Sequence, residues 1–109
     1  MIDKDAFYKK IADLANQIQT ELVSYGYQGF PGETPVQVNI AFGAGSMSFT
    51  GWLWSVFLPR VREILRDQSE LPSESSVGTQ AIRELDGFPE AERLVDLLCE
   101  FDYLINWQP

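Results

Sequence analysis

The chain has 109 residues, 45% of them apolar, with a net charge of −8, no histidine and a single cysteine, Cys99. That length holds one domain around a single core, and the apolar share excludes a disordered chain. The charge argues against direct nucleic-acid binding, because that affinity comes mainly from Lys and Arg neutralising phosphates and only eight basic residues are present.

Without histidine, the commonest general base and the commonest metal ligand are missing. Carboxylates plus one thiol make a poor zinc set, so neither a metal nor a cofactor is expected. The first residues, Met1-Ile2-Asp3-Lys4-Asp5, lack the basic and apolar regions of a secretory signal, and no apolar run approaches membrane-spanning length. An unpaired cysteine suits a reducing compartment. The expectation is a cytoplasmic protein that keeps off membranes.

Asp3 and Asp5 are placed to cap a first helix, where carboxylates meet exposed N–H groups. Phe7, Ile11, Leu14, Ile18 and Leu22 recur at helical spacing, and Tyr25-Gly26 predicts the helix end. From Gly26 to about Met47 the period is lost among glycines and prolines. Val36–Ile40 alternates like a strand, but no second strand offers to pair with it, so a long irregular loop is expected. Phe42, Met47 and Phe49 are candidates to pin that loop to the helices.

A second helix is expected from Ser48 or Thr50 to Arg66-Asp67, followed by a polar break through Leu71-Pro72 and Ser73-Glu74-Ser75-Ser76. Thr79 predicts the cap of a short third helix over Gln80–Leu85, closed by Asp86-Gly87. Pro89 opens the last helix, in which Ala91, Leu94, Leu97, Leu98, Phe101, Leu104 and Ile105 form the apolar face. Together these elements predict an all-α, small four-helix bundle with a long irregular loop after the first helix.

The combination Trp52-Leu53…Val56…Pro59-Arg60, then Leu71-Pro72 and a Pro89-led last helix, resembles the YqcC-like family of bacterial proteins. Phe42, Met47 and Asp102 fall at matching positions, so the likeness covers the chain from about Phe42 onward; around Val77-Gly78-Thr79 it needs a gap. The resemblance implies a small helical bundle of unestablished function. Family members tend to be encoded beside tRNA pseudouridine synthase C and are sometimes labelled as that enzyme. Such a synthase uses a catalytic aspartate in a much larger mixed α/β domain with a basic tRNA surface, and this chain has neither the length nor the charge.

Arg83-Glu84-Leu85-Asp86-Gly87 loosely resembles an Arg-Leu-Asp catalytic motif, but a helix-ending turn explains it. Gly43-Ala44-Gly45-Ser46 lacks the lysine of a phosphate-binding loop; no lysine follows Lys10. Cys99 has no histidine to activate it and reads as an inert thiol.

Asp102 falls at the edge of the apolar face and needs a partner if it is half-buried. Arg60 is the natural one, and the pair reads as a structural clamp between the second and fourth helices. Within the second helix, Leu53, Trp54, Phe57, Leu58, Val61, Ile64 and Leu65 share one side. Trp52, Val56 and Pro59 gather on the other with Arg62 and Arg66 at its edge. That second side is either covered within the bundle, with the 26–47 segment as one cover, or it binds a protein partner. Pro59 removes the hydrogen bond to the Ser55 carbonyl and predicts a distortion there.

Overall fold

The carboxylate of Asp3 accepts the Ala6 N–H at 2.8 Å and opens α1, Lys4–Ser24. The computed structural model describes residues 3–27 and 48–108. Within it α1 buries Phe7, Ile11, Leu14, Ile18 and Leu22, with Tyr8 and Ala15 beside them. The helix ends where glycine was expected to end it. Gly26 takes φ 108°, its N–H donates to the Val23 carbonyl at 3.0 Å, and the Tyr27 N–H donates to the Leu22 carbonyl at 3.3 Å. These are the paired bonds of a Schellman closure. The closure turns Tyr27 inward, where its ring stacks on Trp54 at 5.3 Å and its hydroxyl shares a 2.8 Å hydrogen bond with buried Thr50. The strand-like stretch at Val36–Ile40, the glycine loop at Gly43–Ser46 and the anchors Phe42 and Met47 lie outside the described residues.

Ser48 caps α2 by accepting the Gly51 N–H at 3.0 Å. This helix spans 49–67 in three parts: an α-helical turn Phe49–Trp52, a π-helical segment Leu53–Phe57 and an α-helix Leu58–Asp67. In the π segment the Leu58 N–H reaches back five residues to the Leu53 carbonyl. The wider turn sits directly ahead of Pro59, whose ring and missing N–H already interrupt the ladder at Ser55. The expected distortion thus takes the form of a π turn. At the same turn the Ser55 hydroxyl oxygen is buried without a hydrogen-bond partner. Gln68, in the left-handed region at φ 55°, ends the helix.

The third helix differs from its expected placement. α3 runs over Val77–Glu84, one turn earlier than Gln80–Leu85, and Thr79 is not its cap. The Ser76 side chain does not cap it either; the cap comes from another helix. Leu85 ends α3 by donating to the Ala81 carbonyl at 2.9 Å, and Gly87 turns the chain with φ 87°. The Arg83–Gly87 stretch is therefore a helix end, as its glycine indicated. Pro89–Ala91 form a 3₁₀ turn leading into α4, Glu92–Asn106.

The described residues thus fold as four helices without a strand. α1 packs against both α2 and α4, while α3 packs on α4. The core joins Ile11, Ile18 and Leu22 of α1 to Leu53, Trp54 and Leu58 of α2 and to Leu94, Leu98 and Ile105 of α4. Two glutamines of α1 also tie its flanks: Gln19 accepts from Arg62 of α2 at 2.6 Å, and Gln17 from Arg93 of α4 at 3.1 Å. Among the described residues no helix is long and apolar enough to cross a membrane.

At Gly78 the backbones of α3 and α4 come close together. A Cβ placed there would lie 2.5 Å from the Cys99 Cα and 2.6 Å from its backbone nitrogen, closer than real carbons come. Backbone atoms of α4 cannot rotate away as a side chain would. Gly78→Ala is therefore expected to destabilise the fold by about 3 kcal/mol through overpacking, read as a lower urea midpoint at unchanged slope.

Candidate functional site

The site is organised by one carboxylate. Asp102 of α4 is 8% exposed, and it does not meet Arg60. Its Oδ2 accepts the backbone N–H groups of Gly78 at 2.8 Å and Thr79 at 3.3 Å, and its Oδ1 accepts the Ser75 hydroxyl at 2.6 Å. Asp102 therefore caps the N-terminus of α3 from outside, supplying the acceptor that Ser76 does not. A negative charge also suits the positive end of the α3 dipole. The expected Arg60–Asp102 clamp is corrected on this ground: two amides and a hydroxyl satisfy the carboxylate, and the Arg60 side chain stays exposed.

Two further residues of the α4 end continue the clasp. Asn106 accepts the Ser75 N–H at 2.7 Å and donates to the Ser75 carbonyl at 2.9 Å, pairing with it as a neighbouring strand would. The Gln108 side-chain nitrogen donates to the Pro72 carbonyl at 2.6 Å. Tyr8 of α1 holds the start of the same connection by donating to the Ser69 carbonyl. The irregular 68–76 segment is thus tied down along its length although it contains no helix.

Between this pinned segment and α2 lies a groove of about 340 Å³. Trp52, Val56, Arg60 and Ile64 of α2 form one wall. Leu71, Pro72 and Glu74–Ser76 form the other, with Val77 and Gln80 of α3 beyond them and Phe101 of α4 also lining the space. Trp52 is 36% exposed and Val56 is 42% exposed at the lip. A row of rings leads inward from there. Trp52 lies 5.8 Å from Phe57, and Phe57 meets Phe101 edge-on at 5.1 Å. Among the described lining residues the charges are Arg60 and Glu74, one on each wall.

The structure divides the face expected from sequence. Trp52 and Val56 come together on the groove, and Arg60 joins them. Pro59 is half-buried and outside the groove lining. Arg62 turns toward α1 to bond Gln19, and exposed Arg66 pairs with Asp67 at 3.0 Å. That hydrogen bond and charge raise the Arg66 pKa and lower that of Asp67. Cys99 is half-buried, and burial, then Asp102 and Asp96, push its thiol pKa up. The thiol form is thereby favoured at neutral pH, in line with an unreactive cysteine.

Sequence reasoning missed Leu71, Pro72, Ser75 and Phe101 as parts of one site. Ser75-Ser76 ahead of apolar Val77 is a helix-start signal that the Thr79 reading overlooked. The pairing of Asn106 with Ser75 has no local signal, since 31 residues separate them. A cap and an Arg60 clamp differ in what the loss of Arg60 would cost. Asp102→Ala strands two backbone donors and a hydroxyl and is expected to cost about 2–3 kcal/mol in urea unfolding. Arg60→Ala should stay within about 0.5 kcal/mol of the parent.

Comparison with curated proteins and with solved structures returns no match. A family pattern described as tRNA pseudouridine synthase C does match, and it covers residues 9–104. That span takes in most of each of the four helices, Asp102 with the α3 start it caps, and the groove, so the chain belongs to the DUF446 family that carries this description.

Proposed function

We propose that the chain is a small protein-interaction module, accessory to a partner and without catalysis of its own, working in the cytoplasm. The observation that carries this reading is Trp52 and Val56 standing exposed on an apolar groove whose far wall is pinned in place. Exposed apolar surface of this kind marks binding sites, and tryptophan and arginine are frequent interface anchors. The occupant is an apolar segment of another protein, displacing water from Ile64, Leu71, Pro72, Val77 and Phe101. Arg60 and Glu74, facing each other across the groove, would set the direction in which that segment lies. Pro59, Arg62 and Arg66 belong to the margins of this surface. Because the 68–76 wall is already ordered by its hydrogen bonds, binding need not meet the entropic cost of ordering it.

The test is site-directed photo-crosslinking in cells. A crosslinker at Val56 is expected to trap a discrete protein species, whereas one at exposed Asp13 is not. Val56→Glu, which places a charge on the lip, should retain the fold within about 0.5 kcal/mol. Combined with a crosslinker at Gln80, it should abolish the crosslink. A crosslink that survives Val56→Glu overturns the groove reading. So does Trp52→Ala if it unfolds the chain instead of weakening partner binding.

The family description supports a second reading, in which the module is a component associated with tRNA pseudouridine synthase C. Its net charge of −8 suits a partner with a basic tRNA-binding surface better than it suits tRNA itself. Titrating the purified synthase with the chain should give a complex weakened at least about tenfold by Val56→Glu, a loss typical of a disrupted interface anchor. No complex removes this second reading. Salt-sensitive tRNA binding, or pseudouridine formation by the chain alone, overturns its non-catalytic role.

A further inference from the structure

The outer face of α4 carries a second surface that the groove does not use. At about 100° per residue, Glu92, Asp96, Glu100, Tyr103 and Trp107 fall in one stripe roughly 80° wide. All five are exposed, Tyr103 at 64% and Trp107 at 74%, and their two rings lie 6.4 Å apart. Phe101, which lines the groove, points to the opposite side of the same helix.

Trp107 is not simply loose at a helix end. Its N–H donates to the Tyr103 carbonyl at 3.1 Å, and both neighbours are anchored: Asn106 to Ser75, and Gln108 to the Pro72 and Ile105 carbonyls. The backbone is therefore held while a large indole stands in water, an arrangement that core packing does not explain. Nor are the carboxylates neutralised. All eight basic side chains lie among the described residues, and none pairs with Glu92, Asp96 or Glu100. The nearest in sequence, Arg93, reaches away to Gln17 of α1.

We infer that this face of α4 is a docking site for an arginine-bearing segment of a partner protein, with guanidinium groups stacked on Tyr103 and Trp107 and bonded to Asp96 and Glu100. The charge selects the occupant. A second copy of the chain would set carboxylates against carboxylates, and a phosphate surface would be repelled in the same way. Aromatic faces beside carboxylates match a planar cation that stacks and forks its hydrogen bonds, which arginine does and lysine does not.

Calorimetric titration with a nona-arginine and a nona-lysine peptide tests the site. The arginine peptide is expected to bind about tenfold tighter than the lysine peptide, the gap that stacking and forked bonding supply. Tyr103→Ala with Trp107→Ala should erase that gap, and Asp96→Asn with Glu100→Gln should lower affinity for both peptides, each with unchanged circular dichroism. Val56→Glu should change nothing, which separates this surface from the groove. Equal affinity for the two peptides in the parent overturns the site, because it would reflect diffuse attraction of any polycation to an acidic chain. The absence of binding, or an arginine preference that survives loss of both rings, overturns it as well.

Discussion

The Asp102 carboxylate is the interaction on which the rest of this structure leans. A helix of eight residues has little stability of its own, since nucleation is costly and few hydrogen bonds follow. α3 exists because α4 supplies what its first turn lacks, an acceptor for the Gly78 and Thr79 amides. The same carboxylate takes the Ser75 hydroxyl, and Asn106, one turn later, pairs with the Ser75 backbone. One side of α4 thereby fixes both the start of α3 and the connection before it. Gly78 makes this possible, because only a residue without Cβ lets α3 come close enough to α4 for the carboxylate to reach.

The groove follows from that clasp. A connection rich in Ser and Glu would ordinarily be solvated and mobile, and would offer no stable wall. Held by Asn106, Gln108 and Tyr8, it stands opposite α2 and leaves a gap over Phe101. On the α2 side, the π turn ahead of Pro59 keeps Leu53, Trp54, Phe57 and Leu58 buried while Trp52 and Val56 remain at the surface. π turns recur at functional sites because the extra residue re-aims side chains without ending the helix.

Electrostatics sets the character of the surface. Sixteen acidic residues stand against eight basic ones, and among the described residues only Arg66 forms an ion pair. Arg62 and Arg93 bind glutamines of α1, and Arg66 takes its own neighbour Asp67. The bundle therefore presents uncompensated carboxylates, most regularly along α4. Such a surface is unfavourable for phosphate backbones, which basic side chains would have to neutralise.

Much of the fold was legible in the residues because it rests on local rules. The apolar period of α1, its closure at Gly26, the Ser48 start of α2, the distortion at Pro59 and the turn at Gly87 all depend on groups within a few positions of one another. The division of α2 into a buried side and an exposed side containing Trp52 and Val56 was legible for the same reason. The tertiary structure alone decided where Asp102 points. From sequence Arg60 was the obvious partner, since charge seeks charge; but backbone amides at a helix start are equally good acceptor-seekers, and they carry no mark in a one-dimensional string. The early start of α3, the ordering of the 68–76 wall and the turning of Arg62 toward Gln19 share that origin: each is set by a group tens of residues away, brought near only when the helices pack.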